Sequence, residues 1–259
     1  MLPTLYSDNG DNFIVIAHRG ASAYFPENTM PAFRGAVEMG AEMIEIDVMM
    51  SSDGVPVVFH DATLADHTNG EGELADYSLE ELRELDAGSW FGAEFAGEKI
   101  PTLEEVLQFA RDRIAVNIEI KTEAVTDQER GGVEEKSLEL VRKYGMEDHV
   151  LFSSFDYRAI AHIKALEPTM PAALLYNSQT SNKRLPSQLV ADYSADAFNC
   201  SYKQLNRKRL LDIRLHNIPV FVYTVNQQQR MKKLVKMGVT GIFSDKPDLL
   251  RKVAENVNK

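Results

Sequence analysis

Glu45 and Asp47 stand two residues apart in the run IEIDVMM, and their spacing is the first chemical signal in the chain. On a β-strand, residues i and i+2 share a face, so the two carboxylates would project side by side, about 7 Å apart. Ile44, Ile46 and Val48 would take the reverse face. A Ser52-Asp53-Gly54 turn, with glycine supplying the positive φ, leads into a second apolar run that closes on His60-Asp61. Glu119 and Lys121 repeat the two-residue spacing in NIEIK, and His18-Arg19-Gly20 ends the run FIVIAHRG.

Each group has an ordinary reading. Glu45 and Asp47 would suit an edge strand facing water, Lys121 could serve only as an ion-pair partner for Glu119, and His18 could be a satisfied rim histidine. Their joint occurrence at three successive strand ends favours a site. Buried carboxylates are costly unless paired or bound to metal, and three at one point repel one another without a cation. With Arg19 and Lys121 beside them the cluster is one charge negative, and a divalent cation makes it one charge positive. Such a site accepts a singly charged phosphodiester. Three oxygen ligands without cysteine favour Mg²⁺, Ca²⁺ or Mn²⁺ over structural zinc. Arg19 and Lys121 are natural grips for phosphate oxygens. His18 and His60 change charge near neutral pH and form a candidate acid and base. His67, His149, His162 and His216 fall in loops or helices without carboxylate company and receive no role.

Something must carry these residues to one place. Apolar runs at 13–20, 43–50, 114–121, 149–155, 171–177, 196–200, 218–226 and 240–245 alternate with stretches at helical period. The helices are expected near 29–39, 102–112, 133–144, up to Pro168, 186–193, 206–217, 227–237 and from Pro247. Thr102 with Glu105 is a capping box for the second of them. Eight strand–helix units predict an α/β fold, a closed (β/α)₈ TIM barrel spanning 1–259 as one domain. The active site then lies at the C-terminal strand ends, where the polar residues collect. An open doubly wound sheet is the next choice, but HRGAS is not the Gly-rich first turn it carries. Residues 61–100 break the rhythm with HTNGEGE, a short helix SLEELREL and aromatics at Trp90 and Phe91. They predict an insertion after the second strand, over one rim of the barrel.

The composition narrows the classes of function. With 44% hydrophobic and 26% charged residues, the 259-residue chain has material for a sizeable core. A net charge of −11 argues against a nucleic-acid surface. Cys200 stands alone, which excludes an internal disulfide and a cysteine metal cluster. The opening MLPTLYSDNGDN has neither the basic nor the apolar segment of a signal peptide, so a cytoplasmic protein without stable membrane association is expected.

HRGASAYFPENTMPAF, IEIDVMMSSDGVPVVFHD, IPTLEEVL, NIEIK and SDKPDLL, in this order and spacing, resemble the glycerophosphodiester phosphodiesterase family. The resemblance runs from about Phe13 to the C-terminus. It implies a TIM barrel that hydrolyses small-molecule glycerophosphodiesters to sn-glycerol 3-phosphate and an alcohol with one divalent cation. It also implies His18 as general base and His60 as general acid, with Glu45, Asp47 and Glu119 as metal ligands. Arg19 and Lys121 become phosphate contacts, and Asn28 in PENT lies near the site. The implied mechanism has the glycerol 2-hydroxyl attack phosphorus, giving a cyclic phosphate that water opens. Tyr223 stands where many members carry Trp, which bears on substrate preference. A lysophospholipase D acting through the same site would need an apolar rim, for which Trp90, Phe91 and Phe95 are the only hint.

Overall fold

The computed structural model describes residues 13–127 and 130–257; the N-terminal stretch read above for a signal segment lies outside them. Nine strands are found among these residues: β1 (Ile14–Ala17), β2 (Met43–Met50), β3 (Pro56–Val58), β4 (Ala115–Ile120), β5 (Val150–Ser154), β6 (Ala172–Leu175), β7 (Ala197–Ser201), β8 (Val220–Tyr223) and β9 (Gly241–Ser244). The helices are α1 (Met30–Glu38), α2 (Leu79–Glu84), α3 (Leu103–Ala110), α4 (Val133–Tyr144), α5 (Tyr157–Leu166), α6 (Pro186–Asp192), α7 (Arg207–Leu215), α8 (Gln228–Lys236) and α9 (Pro247–Val257). β1 pairs in parallel with both β2 and β9, and the pairing runs on through β8, β7, β6, β5 and β4 back to β2. Eight parallel strands therefore close a barrel with helices around it, as the alternation predicts. Among the described residues, no helix is long and apolar enough to cross a membrane.

The period-2 pattern sorts the strand residues into two cores. Outward-facing Val15, Ile44, Ile46, Val48, Val116, Ile118 and Ile120 pack under the helices. Inward-facing Ile14, Ile16, Met43, Ala115, Leu151, Ala173, Ala197, Phe221 and Phe243 fill the barrel as a separate plug. Phe221 and Phe243 occupy space that small neighbours leave. A Cβ at Gly241 would lie 2.9 Å from the Phe221 ring and 2.7 Å from the Ile14 carbonyl oxygen. Further along the same inward faces the residues turn polar, at Glu45, Asp47, Asn117 and Ser153. The plug closes the barrel beneath them, so the polar residues meet solvent only at the mouth.

Two elements differ from expectation. The first strand stops at Ala17, and His18-Arg19-Gly20 forms a turn, with φ of 55° at Arg19 and 82° at Gly20. Any side chain at Gly20 would also meet the Ala32 backbone at 2.7 Å, so the close approach to α1 requires glycine. The second difference is β3, which pairs antiparallel with the end of β2 (Val48↔Val58) outside the parallel ring. This hairpin carries His60 back towards the mouth, because Phe59 donates its N–H to the Asp47 carbonyl at 2.9 Å.

The insertion at 61–100 contains α2, capped by a reciprocal Ser78–Glu81 box. Its aromatics pack on one another, with Trp90 still 39% exposed. Trp90, Phe91 and Phe95 chain edge-to-face at 5.5 and 5.6 Å, and Phe95 meets Phe25 at 5.8 Å. The chain ties the insertion to the loop after β1.

Candidate active site

Strand register brings the carboxylates together. Asp47 on β2 lies directly beside Glu119 on β4, with Glu45 one inward position below. An oxygen from each of the three lies within 4.8 Å of the other two. Glu45 and Asp47 are 2% and 1% exposed, so water cannot shield their repulsion. Cationic and polar partners surround them. Asp47 accepts from Asn28 Nδ2 at 2.9 Å, and Arg19 Nε lies 3.2 Å from its Oδ2, close enough for an ion pair though not aligned as a hydrogen bond. The Arg19 backbone N–H donates to Glu45 at 2.8 Å, which the left-handed turn at Arg19 makes possible. Lys121 Nζ sits 3.4 Å from Asp47 and 3.5 Å from Glu119, serving both rather than Glu119 alone. Asn28 is itself left-handed (φ 56°), and its N–H binds the Arg19 carbonyl at 3.1 Å, fastening the PENT segment to the HRG turn.

The three carboxyls do not titrate alike. Burial, then the charges of Asp47 and Glu119, push Glu45 well above the ordinary carboxylate range. Burial and the Asp47 charge push Glu119 up to about 7. Burial also acts upward on Asp47, but Lys121 and Arg19 outweigh it and hold Asp47 below its usual value. At neutral pH the protein alone struggles to hold three charges here. The donor set, three hard oxygens converging from adjacent strands, fits a hard divalent cation.

Both candidate histidines reach the mouth, each clamped by a carboxylate on Nδ1. His18 Nδ1 lies 2.7 Å from Asp245 Oδ1. Asp245 follows β9 and also accepts from Ser22 Oγ at 3.2 Å and from Asn226 Nδ2. Its own N–H returns to Asn226 Oδ1 at 2.9 Å. His60 Nδ1 lies 2.6 Å from Asp61 Oδ1. Burial pushes the His60 imidazole below its ordinary value; Asp47 pulls it back up, while Arg19 and Lys121 press it lower. With Nδ1 committed as donor, Nε2 of each ring is left for a ligand.

Sequence reasoning did not assign Asp245, Asn226, Asp61, Glu27 or His67. The first two lie in SDKP and TVN, at the ends of the last two strands, where barrel enzymes place functional groups. The reading of His67, His162 and His216 as lacking carboxylate company is corrected, while His149 has its Nδ1 buried without a hydrogen-bond partner. His67 Nδ1 is 2.6 Å from Asp61 Oδ2, His162 lies 3.9 Å from Glu134, and His216 lies 3.5 Å from Asp212. The last two belong to the outer helices, whereas His67 stands beside the site. Tyr223 on β8 packs edge-to-face with Phe155 at 6.0 Å and Phe243 at 6.3 Å.

Comparison with known proteins shows which family the chain resembles. The profile of the glycerophosphoryl diester phosphodiesterase family matches residues 18–249. A glycerophosphodiester phosphodiesterase of Caldanaerobacter subterraneus subsp. tengcongensis is 39% identical over 238 residues, covering 92% of this chain and 96% of the relative. The solved structure of an Oleispira antarctica phosphodiesterase in complex with the product sn-glycerol-3-phosphate superposes with a TM-score of 0.85 at 32% identity, covering 93% of this chain and 96% of that one. A glycerophosphodiester phosphodiesterase of Agrobacterium tumefaciens gives 0.81 at 29% identity, covering 93% of this chain and 100% of that one. The chain belongs to the glycerophosphoryl diester phosphodiesterase family.

Proposed function

We propose that this chain is a cytoplasmic enzyme that hydrolyses glycerophosphodiesters to sn-glycerol 3-phosphate and the freed alcohol. It works with one divalent cation (Mg²⁺, Ca²⁺ or Mn²⁺) held by Glu45, Asp47 and Glu119. The observation that carries the reading is the pairing of this trio with two histidines, His18 and His60, each holding Nδ1 on a carboxylate. The product bound by the Oleispira antarctica relative supports the choice of substrate.

When bound, the cation supplies Lewis acidity and neutralises charge at a non-bridging phosphate oxygen. Arg19 and Lys121 bind and orient the phosphate. His18 Nε2 takes the proton of the glycerol 2-hydroxyl, whose oxygen forms a new bond to phosphorus. The bond from phosphorus to the departing alcohol breaks, and His60 gives that oxygen its proton. Water then opens the cyclic phosphate with the two roles exchanged, which restores both histidines. Since the resting His60 leans towards its neutral form, the substrate's negative charge is what favours its protonated, donating state.

The test follows choline release from glycerophosphocholine and from its 2-deoxy analogue. Turnover of the parent should vanish with EDTA and return with Mg²⁺, Ca²⁺ or Mn²⁺. The analogue should bind comparably but react at least about a thousandfold more slowly, because it lacks the internal nucleophile. Activity that persists in EDTA removes the cation from the mechanism. An analogue hydrolysed at the parent's rate means that water attacks directly.

A further inference from the structure

The Asp61 carboxylate carries an imidazole on each oxygen. His60 Nδ1 lies 2.6 Å from Oδ1, and His67 Nδ1 lies 2.6 Å from Oδ2. Among the described residues these two rings are its hydrogen-bond partners. A carboxylate held through one oxygen can still swivel about Cβ–Cγ, whereas one held through both has a fixed plane. Asp61 adjoins His60 in the chain, so their covalent link alone leaves that angle open.

His67 is itself well fixed. Its ring meets Trp90 edge-to-face at 4.5 Å and Phe59 at 6.3 Å. Its Nε2 lies 3.9 Å from Glu27 Oε1, the same oxygen that accepts from Arg19 at 2.7 Å. Trp90 in turn leads through Phe91 and Phe95 to Phe25. The insertion therefore presents a rigid N–H donor to the carboxylate that orients His60.

We propose that His67 is a positioning residue for the reaction, fixing Asp61 so that the His60 ring keeps Nε2 aimed at the leaving alcohol. The proposal rests on the reading of His60 as the general acid. Through this contact the 61–100 segment supports catalysis without touching substrate. A histidine that merely satisfies a rim carboxylate would add stability and nothing specific to proton donation, and leaving-group chemistry separates the two roles.

The experiment compares single-turnover release of the leaving group, which reads the first step alone, from glycerophosphocholine and from glycerol 3-(p-nitrophenyl phosphate), whose aryl oxide departs without a proton. His67→Phe keeps a ring for Trp90 and Phe59 but removes the donor. It should lower the saturating single-turnover rate on the choline ester about tenfold with the half-saturating concentration little changed, as loss of an orienting partner does, and leave the aryl ester nearly unaffected. His67→Asn, which can place an amide N–H near the lost Nδ1, should recover most of the rate. If His67→Phe does not fold, His67→Asn against His67→Gln carries the same test, since the longer Gln amide overshoots Asp61. Asn should then exceed Gln on the choline ester and match it on the aryl ester. Equal losses on both esters, or no loss on either, overturn the proposal. His60→Ala run alongside keeps the underlying reading separate. If His60→Ala loses as much on the aryl ester as on the choline ester, the general-acid assignment fails and the proposal with it. If only His60→Ala depends on the leaving group, the acid stands and His67 alone is dismissed.

Discussion

The two histidine–carboxylate pairs look alike in distance and differ in what holds them. Asp245 is set in the barrel frame: it follows β9, and Asn226, which follows β8, grips both its side chain and its backbone N–H. Asn226 is braced in turn by Ser244 Oγ at 3.0 Å. Asp61 has no such frame. It follows the short antiparallel β3, and its second oxygen is held by a residue of the insertion. One clamp inherits the stiffness of a closed sheet, and the other is only as firm as a loop segment packed through aromatic rings. The His18 side should therefore tolerate changes in the insertion, and the His60 side should feel them.

The strongest way to break the comparison is to remove what both sides share. Glu45→Gln, Asp47→Asn and Glu119→Gln would each delete one of the proposed hard anionic ligands. Each should weaken divalent-cation binding and lower turnover by roughly a thousandfold or more, whatever the leaving group. Calorimetric titration with Mg²⁺ or Mn²⁺ reads the first effect and steady-state kinetics the second. Unchanged cation affinity in all three variants would remove the trio from metal binding.

The next effect distinguishes the sides. His18→Ala and His60→Ala should each cost at least about a hundredfold in kcat on glycerophosphocholine in folded protein, the usual scale for general acid–base groups. In single-turnover release of the leaving group from an aryl ester, which reads the first step alone, the His60 loss should largely disappear while the His18 loss stays, because only the alcohol needs a proton on leaving. The double variant should be far from additive, since in the proposed mechanism both rings serve one proton-transfer sequence. A His18 loss that disappears on the aryl ester while the His60 loss stays would reverse the two assignments.

The same contrast explains what the sequence could reveal. The eight apolar runs mark the barrel because buried parallel strands leave a strong local pattern. Even the weak DAFNC forms β7, its small Ala197 belonging to the interior plug. Glu45, Asp47, Glu119 and Lys121 were legible because two-residue spacing on a strand fixes a shared face. The partner of His18 was not legible in this way: Asp245 lies 227 residues away, and only closure of β1 against β9 joins them. His67 was obscured differently. It stands six residues from Asp61, but in a polar stretch whose backward fold depends on Trp90 and Phe59 rather than on any periodicity. Local pattern speaks for the barrel-framed ligands and is silent about contacts made by closure or by an irregular loop.

The smallest predicted effect separates the shared cluster from both clamps by pH. Glu119 in the folded protein is raised to about 7, above its unfolded value, so the folded state holds that proton more tightly. Its contribution to stability is full at pH below about 4.5 and is lost as pH rises through 7. Glu45 is displaced in the same direction. Asp61 and Asp245 go the other way. Burial acts upward on both, but their histidine bonds outweigh it, so their contributions are present at neutral pH and fail only in strong acid. Cation binding requires the trio deprotonated and replaces those protons. The rise in Tm on adding saturating Mg²⁺ or Mn²⁺ should therefore be slight at pH 5 and grow to several degrees by pH 8, at roughly 2–4 °C per kcal/mol for a chain of this size. Differential scanning calorimetry across this range, with EDTA as reference, reads it directly. Asp61→Asn should leave that growth intact and Glu119→Gln should largely flatten it. The same rise at pH 5 as at pH 8 would show that the cation does not compete with protons at this cluster.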